Sequence, residues 1–390
     1  MASLSTIMDL DDTYSAANNP RAPGSVMPTM RLADVLPAFR PTKLFRRDDI
    51  KEGKPQPHIL SIDFDDPGEL CMTSESDETI QIYNVKDGRF DKSLLSRKYG
   101  VKLAKFTHTS SSIIYASTKQ NDAIRYLATH DNSFIRYFEG HEAAVTCLAM
   151  HPGSDNFISC SLDNTARLWN LNTRNWTGKL HINTPFLSAW DPSGNVFAIG
   201  SPHSAIILLY DHRSYERGHF SRFDVLEAVN NRGNPAPIED VFSNWTKLEF
   251  SNDGKHLLLG SKGDGHFLLD AFDGSLKAYL KKPASGQVTR RVAPGESPTE
   301  GSNGIESSGE VCFTPDGRFV LSGGRQDLVA WDVMAANIGV AQSSVGKGIA
   351  EPTFVLEEKR ETAVVAFNPR YNMLATADQE LVFWVPDPHA

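Results

Sequence analysis

One stretch, Gly140 to Asn170, constrains the fold more than any other part of the chain. It holds three short apolar or alternating runs, Val145–Met150, Phe157–Ser161 and Asp163–Asn170, each cut from the next by Gly, Pro, Asp or Asn. Runs of this length bounded by turn formers predict three antiparallel strands joined by tight turns. The stretch also carries a polar set: His141 can bond Asp163 across a turn, a strand serine (Ser159 or Ser161) can bridge to His141, and the Trp169 indole can close the chain. Each such bond contributes on the order of 1 kcal/mol net, and stranding one buried partner costs more than the bond gains. A Ser, His and Asp together also suggest a hydrolase. A catalytic serine, however, needs an exposed sharp turn and an oxyanion hole, and these serines lie mid-strand without a Gly-x-Ser-x-Gly elbow. The set therefore reads as a structural tetrad, with no catalytic residue assigned.

A Gly-His opening and a Trp-Asp-like close about 29 residues apart resemble one WD40 repeat. Comparable triplets of short runs recur along the chain and end on Tyr83, Tyr126, Trp169, Tyr210, Leu269, Trp331 and Trp384, at intervals of 43, 43, 41, 59, 62 and 53. The first three intervals match the roughly 40 to 45 residues of a four-stranded blade. The later ones are lengthened by insertions at residues 230–237 and about 282–309, the latter rich in Pro, Gly, Ser and Glu and expected to be a disordered loop. The predicted fold is all-β, a seven-bladed WD40 β-propeller over residues 28–388, its last blade closed by an N-terminal strand near Pro41–Arg46. Residues 1–27, poor in large apolar side chains, are expected to form a disordered tail. Trp190 and Trp245, at strand positions, are read as packing between blades.

Composition narrows the function classes. No apolar run approaches the 18 or so residues of a membrane span, and the acidic first dozen residues lack the apolar core of a secretory signal. The four cysteines (Cys71, Cys147, Cys160 and Cys312) form no CxxC pair and read as buried thiols of a reducing compartment, so no metal or cofactor is expected. The Asn-Trp-Thr sequons at Asn175 and Asn244 then read as coincidence. A net charge of −9 argues against bulk nucleic-acid affinity. Basic clusters at Arg40, Lys43, Arg46 and Arg47, at Lys92, Arg97, Lys98, Lys102 and Lys105, and at Arg290 and Arg291 read as solvated edges, with docking of an acidic or phosphorylated peptide as the functional reading. In a propeller, binding residues sit on loops held by the rigid ring. The loops joining second to third strands would present Ser76, Asn121, Leu162, His203, Asp264, Arg325 and Gln326, with Arg325 the first choice to grip a carboxylate.

Several stretches go beyond a general repeat consensus: Lys98-Tyr99-Gly100-Val101, Ile124-Arg125-Tyr126-Leu127, His130-Asp131-Asn132, Phe134 through His141, Ser161 through Trp169, Phe250 through Lys255, and Phe383 through Pro386. Together they resemble the small WD-repeat subunit shared by COMPASS, the methyltransferase for lysine 4 of histone H3, and by cleavage and polyadenylation or phosphatase assemblies of transcription termination. The resemblance implies a non-catalytic nuclear scaffold. Its partners would be the N-terminal region of the methyltransferase subunit and a phosphatase-targeting or polyadenylation-factor subunit. It also implies an association with the phosphorylated tail of RNA polymerase II, direct or through partners. The alternatives are a WD40 adaptor of another pathway, such as a ubiquitin-ligase substrate receptor, and a propeller enzyme. For the enzyme, the sequence offers no phosphate loop or paired acids at matched places.

Overall fold

The computed structural model describes residues 31–48, 50, 56–233, 236–242, 245–283, 311–324, 327–336, 348–357 and 360–387. The tail at 1–27, most of the 282–309 insertion, Arg290, Arg291, Asn244, Arg325 and Gln326 lie outside the described residues.

Seven sheets, antiparallel except for one added strand in blade 5, form seven blades around a central channel. Blade 1 runs Ile59–Phe64, Leu70–Glu75, Thr79–Asn84, Arg89–Leu95 from the channel outward. Blade 2 runs Lys102–Phe106, Ser112–Ala116, Ile124–Ala128, Phe134–Phe138. Blade 3 runs Val145–Met150, Asn156–Ser161, Thr165–Asn170, Gly178–His181. Blades 4 to 7 begin at Leu187, Trp245, Val311 and Val364. The outermost strand of blade 7 is Phe39–Phe45, which pairs antiparallel with Leu381–Pro386 and so joins the two ends of the chain in one sheet. This is the closure expected from the sequence, and it covers the edge that Leu381–Pro386 would otherwise expose.

Two features were not anticipated. Short helices, Val225–Asn231 and Ile238–Phe242, occupy the connection from blade 4 to blade 5, and the first buries Val225, Ala228 and Val229. Blade 5 also gains a fifth strand, Ile349–Ala350, which pairs in parallel with the outer edge at Tyr279 and Leu280.

The core is distributed between blades. Each of the clusters joins side chains from neighbouring sheets, as where Trp169 and Phe157 of blade 3 meet Leu103, Ile114 and Phe138 of blade 2. Register corrects one assignment. In blade 3 the repeat-closing Trp169 pairs with Phe157, which pairs with Met150. The same ladder in blade 2 is Phe106, Ile113, Leu127. Leu127, not Tyr126, therefore holds the closing position and packs with Met72, Ile80 and Ile82 of blade 1. Because successive side chains of a strand point to opposite faces, Tyr126 turns toward blade 3 instead, half-buried beside Phe138. Aromatic identity suggested Tyr126; the pleat selects its neighbour.

The turns between first and second strands bond to one another around one mouth of the channel. His108 Nδ1 lies 2.8 Å from Asp66 and its Nε2 lies 2.9 Å from the His151 carbonyl and 3.1 Å from that of Ser154. His151 Nε2 reaches the Gly194 carbonyl at 3.1 Å, Asn252 donates to the Pro315 carbonyl at 3.0 Å, and Asn368 donates to the Gly68 carbonyl at 2.8 Å. Gly194, at φ +71°, could not carry a side chain here, since a Cβ would come within 2.5 Å of the His151 ring. Both ring nitrogens of His108 face oxygen acceptors, so both must donate. Partial burial opposes the resulting charge, but Asp66 and the two carbonyls outweigh it and raise the His108 pKa.

Candidate functional site

The polar set of blade 3 is assembled by its two hairpins. His141 enters on the loop before the first strand, Ser159 stands mid-way along the second, and Asp163 occupies the turn into the third. Trp169 Nε1 donates to Ser159 Oγ at 2.8 Å, Ser159 Oγ lies 2.6 Å from His141 Nε2, and His141 Nδ1 lies 2.9 Å from Asp163 Oδ2. With the indole able only to donate, the chain has one consistent direction: the Ser159 hydroxyl donates to Nε2 and Nδ1–H donates to the carboxylate. His141 is thus neutral, in keeping with burial that pushes its pKa below the usual value against the pull of Asp163. Burial alone would raise the Asp163 carboxyl. Hydrogen bonds from Thr165 and His141 and the backbone N–H of Glu142 overcome it and hold the pKa at about 2. Of the two candidate serines, Ser159 carries the chain. Ser161 instead donates to the Ala143 carbonyl at 2.8 Å and accepts from the Asp163 backbone. Ser159 is fully buried, so the hydroxyl at the centre of this Ser–His–Asp line has no contact with solvent, while Asp163 at its end is partly exposed.

Two other blades build the same position from different parts. In blade 6, Ser322 stands two residues past Val320, the partner of Trp331, as Ser159 stands two past Phe157, the partner of Trp169. Its histidine comes from the neighbouring blade. His266, wholly buried in the third strand of blade 5, places Nε2 2.8 Å from Ser322 Oγ, while its Nδ1 accepts the Ser261 backbone N–H at 3.0 Å. The proton therefore runs from histidine to serine, the reverse of blade 3. Burial drives the His266 pKa well below the ordinary value. In blade 1 an arginine stands where the histidine would be. Arg47 Nη1 bonds Glu75 at 2.6 Å and Thr79 at 2.9 Å, and Asp77 accepts from Thr79 as Asp163 does from Thr165. Burial lifts Glu75 to a pKa of about 7, and Arg47 opposes the lift without cancelling it. Arg47 belongs to a basic cluster that reads as a solvated edge in the sequence; it is instead a mostly buried member of this network. No sequence signal pointed to His266 or Arg47, because neither stands at the spacing that marks His141.

The described rim residues lie in the connections between second and third strands. Asn121, Leu162, His203 and Asp264 are exposed there, and Ser76 is half-buried with its hydroxyl accepting the His58 backbone N–H at 2.9 Å. Asn121 is engaged by Arg125, Nη2 to Oδ1, at 2.9 Å. The Asp264 backbone donates to Asp240 at 3.0 Å.

The channel has a volume of about 760 Å³ and is lined by first-strand residues of all the blades. Phe64, Phe106, Met150, Trp190, Phe250, Phe313 and Phe367, the last residues of those strands, form an apolar collar. Two ion pairs, Lys105 to Asp63 at 2.7 Å and Lys247 to Glu249 at 2.8 Å, occupy the lumen. Trp190 also donates to the Ala149 carbonyl of blade 3 at 3.1 Å, and Trp245 is buried against blade 4, so both pack between blades. Among the described residues no group of three or more His, Cys, Asp or Glu is placed to hold a metal ion, and no helix is long and apolar enough to cross a membrane.

Residues 132–170, covering the outer strand of blade 2 and the first three strands of blade 3, match the family model described as WD domain, G-beta repeat. Over 84% of its length the chain is 35% identical to the COMPASS component SWD2 of Saccharomyces cerevisiae, covering 91% of that protein. It is 31% identical over 90% of its length to the Set1 complex component swd2 of Schizosaccharomyces pombe, covering 98% of it. With WD repeat-containing protein 82 of Drosophila melanogaster it shares 34% identity over 90% of the chain and 96% of the relative.

Proposed function

This chain belongs to the Swd2 family of seven-bladed WD-repeat propellers, and from that premise we propose that it serves as a non-catalytic subunit of a Set1-type complex that methylates lysine 4 of histone H3. The supporting observation is that similarity to two relatives named as COMPASS or Set1 complex components runs through nearly the whole propeller, not one repeat. A buried tetrad and rigid interblade cores suit a platform that presents loops to peptide segments of partners. The partners in this reading are the N-terminal region of the methyltransferase subunit and, in a second assembly acting in 3′-end processing and termination, a phosphatase-targeting or polyadenylation-factor subunit. The phosphorylated tail of RNA polymerase II is a further associate of that assembly, and the site of action is the nucleus. The rim residues Ser76, Asn121, Leu162, His203, Asp264, Arg325 and Gln326 remain the proposed contact set on the loop face, with Arg325 gripping an acidic group.

Affinity purification of the tagged full chain, with mass spectrometry and a histone H3 methylation assay on the eluate, tests the reading. Recovery of a Set1-type subunit with lysine 4 activity is expected. Recovery of ubiquitin-ligase components without either would overturn it.

A further inference from the structure

Where the loop face meets the outer wall of blade 2, a patch differs from the rest of this acidic chain. The loop leaving blade 1 carries Arg97 and Lys98, both exposed, and Tyr99. Tyr99 stacks edge-on against Phe134 at 5.5 Å between ring centres, and Phe134 lies 5.4 Å from Tyr137 on the outer strand of blade 2. Arg125 sits among these rings, its guanidinium carbon 3.4 Å from the Tyr99 ring centre and 4.9 Å from that of Tyr137. Lys98 Nζ lies 5.0 Å from the Tyr99 ring centre.

The charges here are unbalanced. Arg125 is 3% exposed, and its two side-chain hydrogen bonds, to Ser117 at 2.8 Å and Asn121 at 2.9 Å, go to neutral groups. Among the described residues, no carboxylate stands within ion-pairing distance of Arg97, Lys98 or Arg125, whereas nearby Arg89 and Lys92 each have one. A buried cation with no carboxylate in direct contact, Glu139 acting on it only from a distance, is costly, and aromatic faces compensate it in part. An anion brought by a partner would complete it.

The backbone beside the patch is also open. The outer strand Phe134–Phe138 pairs on its inner side only, among the described residues. Blade 5 shows what such an edge accepts: there the chain itself supplies Ile349–Ala350 as an added strand. Strand addition gives main-chain hydrogen bonds and leaves alternate side chains to fill pockets.

We propose that this edge of blade 2 is a docking site for an extended, carboxylate-rich segment of a protein partner, its acidic side chains meeting Arg97, Lys98 and the rim of Arg125 and its apolar ones lying on Tyr137. Carboxylate is the committed ligand: Arg125 already spends Nε and one Nη2 hydrogen on Ser117 and Asn121, which leaves the exposed Arg97 and Lys98 to meet ordinary acidic side chains, and the phosphoserine peptide below measures the alternative. The site is independent of which assembly the chain serves.

The test uses the purified full chain and a fluorescein-labelled twelve-residue peptide alternating Glu with Leu and Phe, with fluorescence anisotropy as readout. Two companion peptides carry Gln or phosphoserine in place of Glu. Binding of the Glu peptide is expected, weakened about tenfold or more in Arg97→Ala/Lys98→Ala and several-fold in Tyr137→Ala, with Arg89→Ala/Lys92→Ala unchanged as the control for general charge. All these side chains are at least partly exposed, and melting curves check that each variant folds. No binding of the Glu peptide, equal binding of the Gln peptide, or an unchanged affinity in Arg97→Ala/Lys98→Ala overturns the proposal. Binding of the phosphoserine peptide tenfold or more tighter than the Glu peptide also overturns it. Failure to recover a Set1-type subunit from cells would leave this binary measurement unaffected, so the two readings fail separately.

Discussion

Blades 3 and 6 each bury a tryptophan beside a strand serine, yet they satisfy that serine in opposite ways. In blade 3 the Ser159 hydroxyl accepts from Trp169 and gives its proton to a histidine supplied 18 residues earlier in the same repeat. In blade 6 Ser322 accepts a hydrogen bond from His266, a residue 56 positions away on another blade, and Trp331 Nε1 has no hydrogen-bond partner among the described residues. One staple is internal to a repeat. The other ties two repeats together, so the same sequence position serves local cohesion in one blade and ring cohesion in the next.

The largest effect separating the two is expected from Asp163→Ala. It strands the His141 Nδ1–H and the backbone N–H groups of Glu142 and Thr165, and a loss of about 2–4 kcal/mol in urea unfolding is expected. A cost under about 1 kcal/mol would show that the blade 3 staple contributes little beyond packing. Blade 1 sharpens the contrast through pH. Glu75 has a folded pKa of about 7 against an ordinary 4.5, so it favours the folded state fully below about pH 4.5, and that contribution is lost as pH rises through 7. Wild type should therefore lose stability relative to Glu75→Gln, on the order of 1–3 kcal/mol, between pH 5 and pH 8. Asp163 works the other way: its pKa of about 2 gives stability that is present above about pH 3.8 and lost as pH falls toward 2. A pH-independent gap between wild type and Glu75→Gln would break this opposition.

Smaller differences probe the serines and the indoles. Ser159→Ala should cost about 1–3 kcal/mol because it leaves the Trp169 N–H buried without an acceptor. Ser161→Ala, outside the chain, should cost about 1 kcal/mol or less. Equal losses would mean that Ser161 shares the load. Trp169→Phe should cost about 1 kcal/mol more than Trp331→Phe, since only the first breaks a hydrogen bond. Equilibrium unfolding of the two variants side by side reads that difference.

Much of this was legible in advance, and the reasons are specific. Blade 3 could be read residue by residue because its strands follow one another through turns of a few residues, and its polar partners fall at fixed offsets within that repeat. The closing strand near Pro41 was legible because an N-terminal run without a repeat of its own has one place to go in a ring. Tyr126 misled, because an aromatic stands one residue before the closing position and the turn ahead of it is irregular: five residues separate Ser117 from Ala123 in blade 2 where three separate the matching Ser161 and Thr165 in blade 3. In the rim set, Asn121 was singled out as a loop residue, but that it steadies a cation wedged among three aromatic rings appears only when the loop leaving blade 1 is folded against blade 2.

By itself, then, the order of residues pointed to the number of blades, the three inner strands of most of them and the polar partners of the one regular repeat with the choice between Ser159 and Ser161 open, since strand alternation and tight turns act over a few positions along the backbone. The tertiary structure alone decided which histidine serves blade 6, why Arg47 is held inside blade 1, how His108 and His151 lace the turns together, and where, among the described residues, three cations stand with no carboxylate at ion-pairing distance. Those contacts join residues tens of positions apart whose distance is set by the curvature of the closed ring, and hydrogen bonds and charges respond to separation in space, not along the chain.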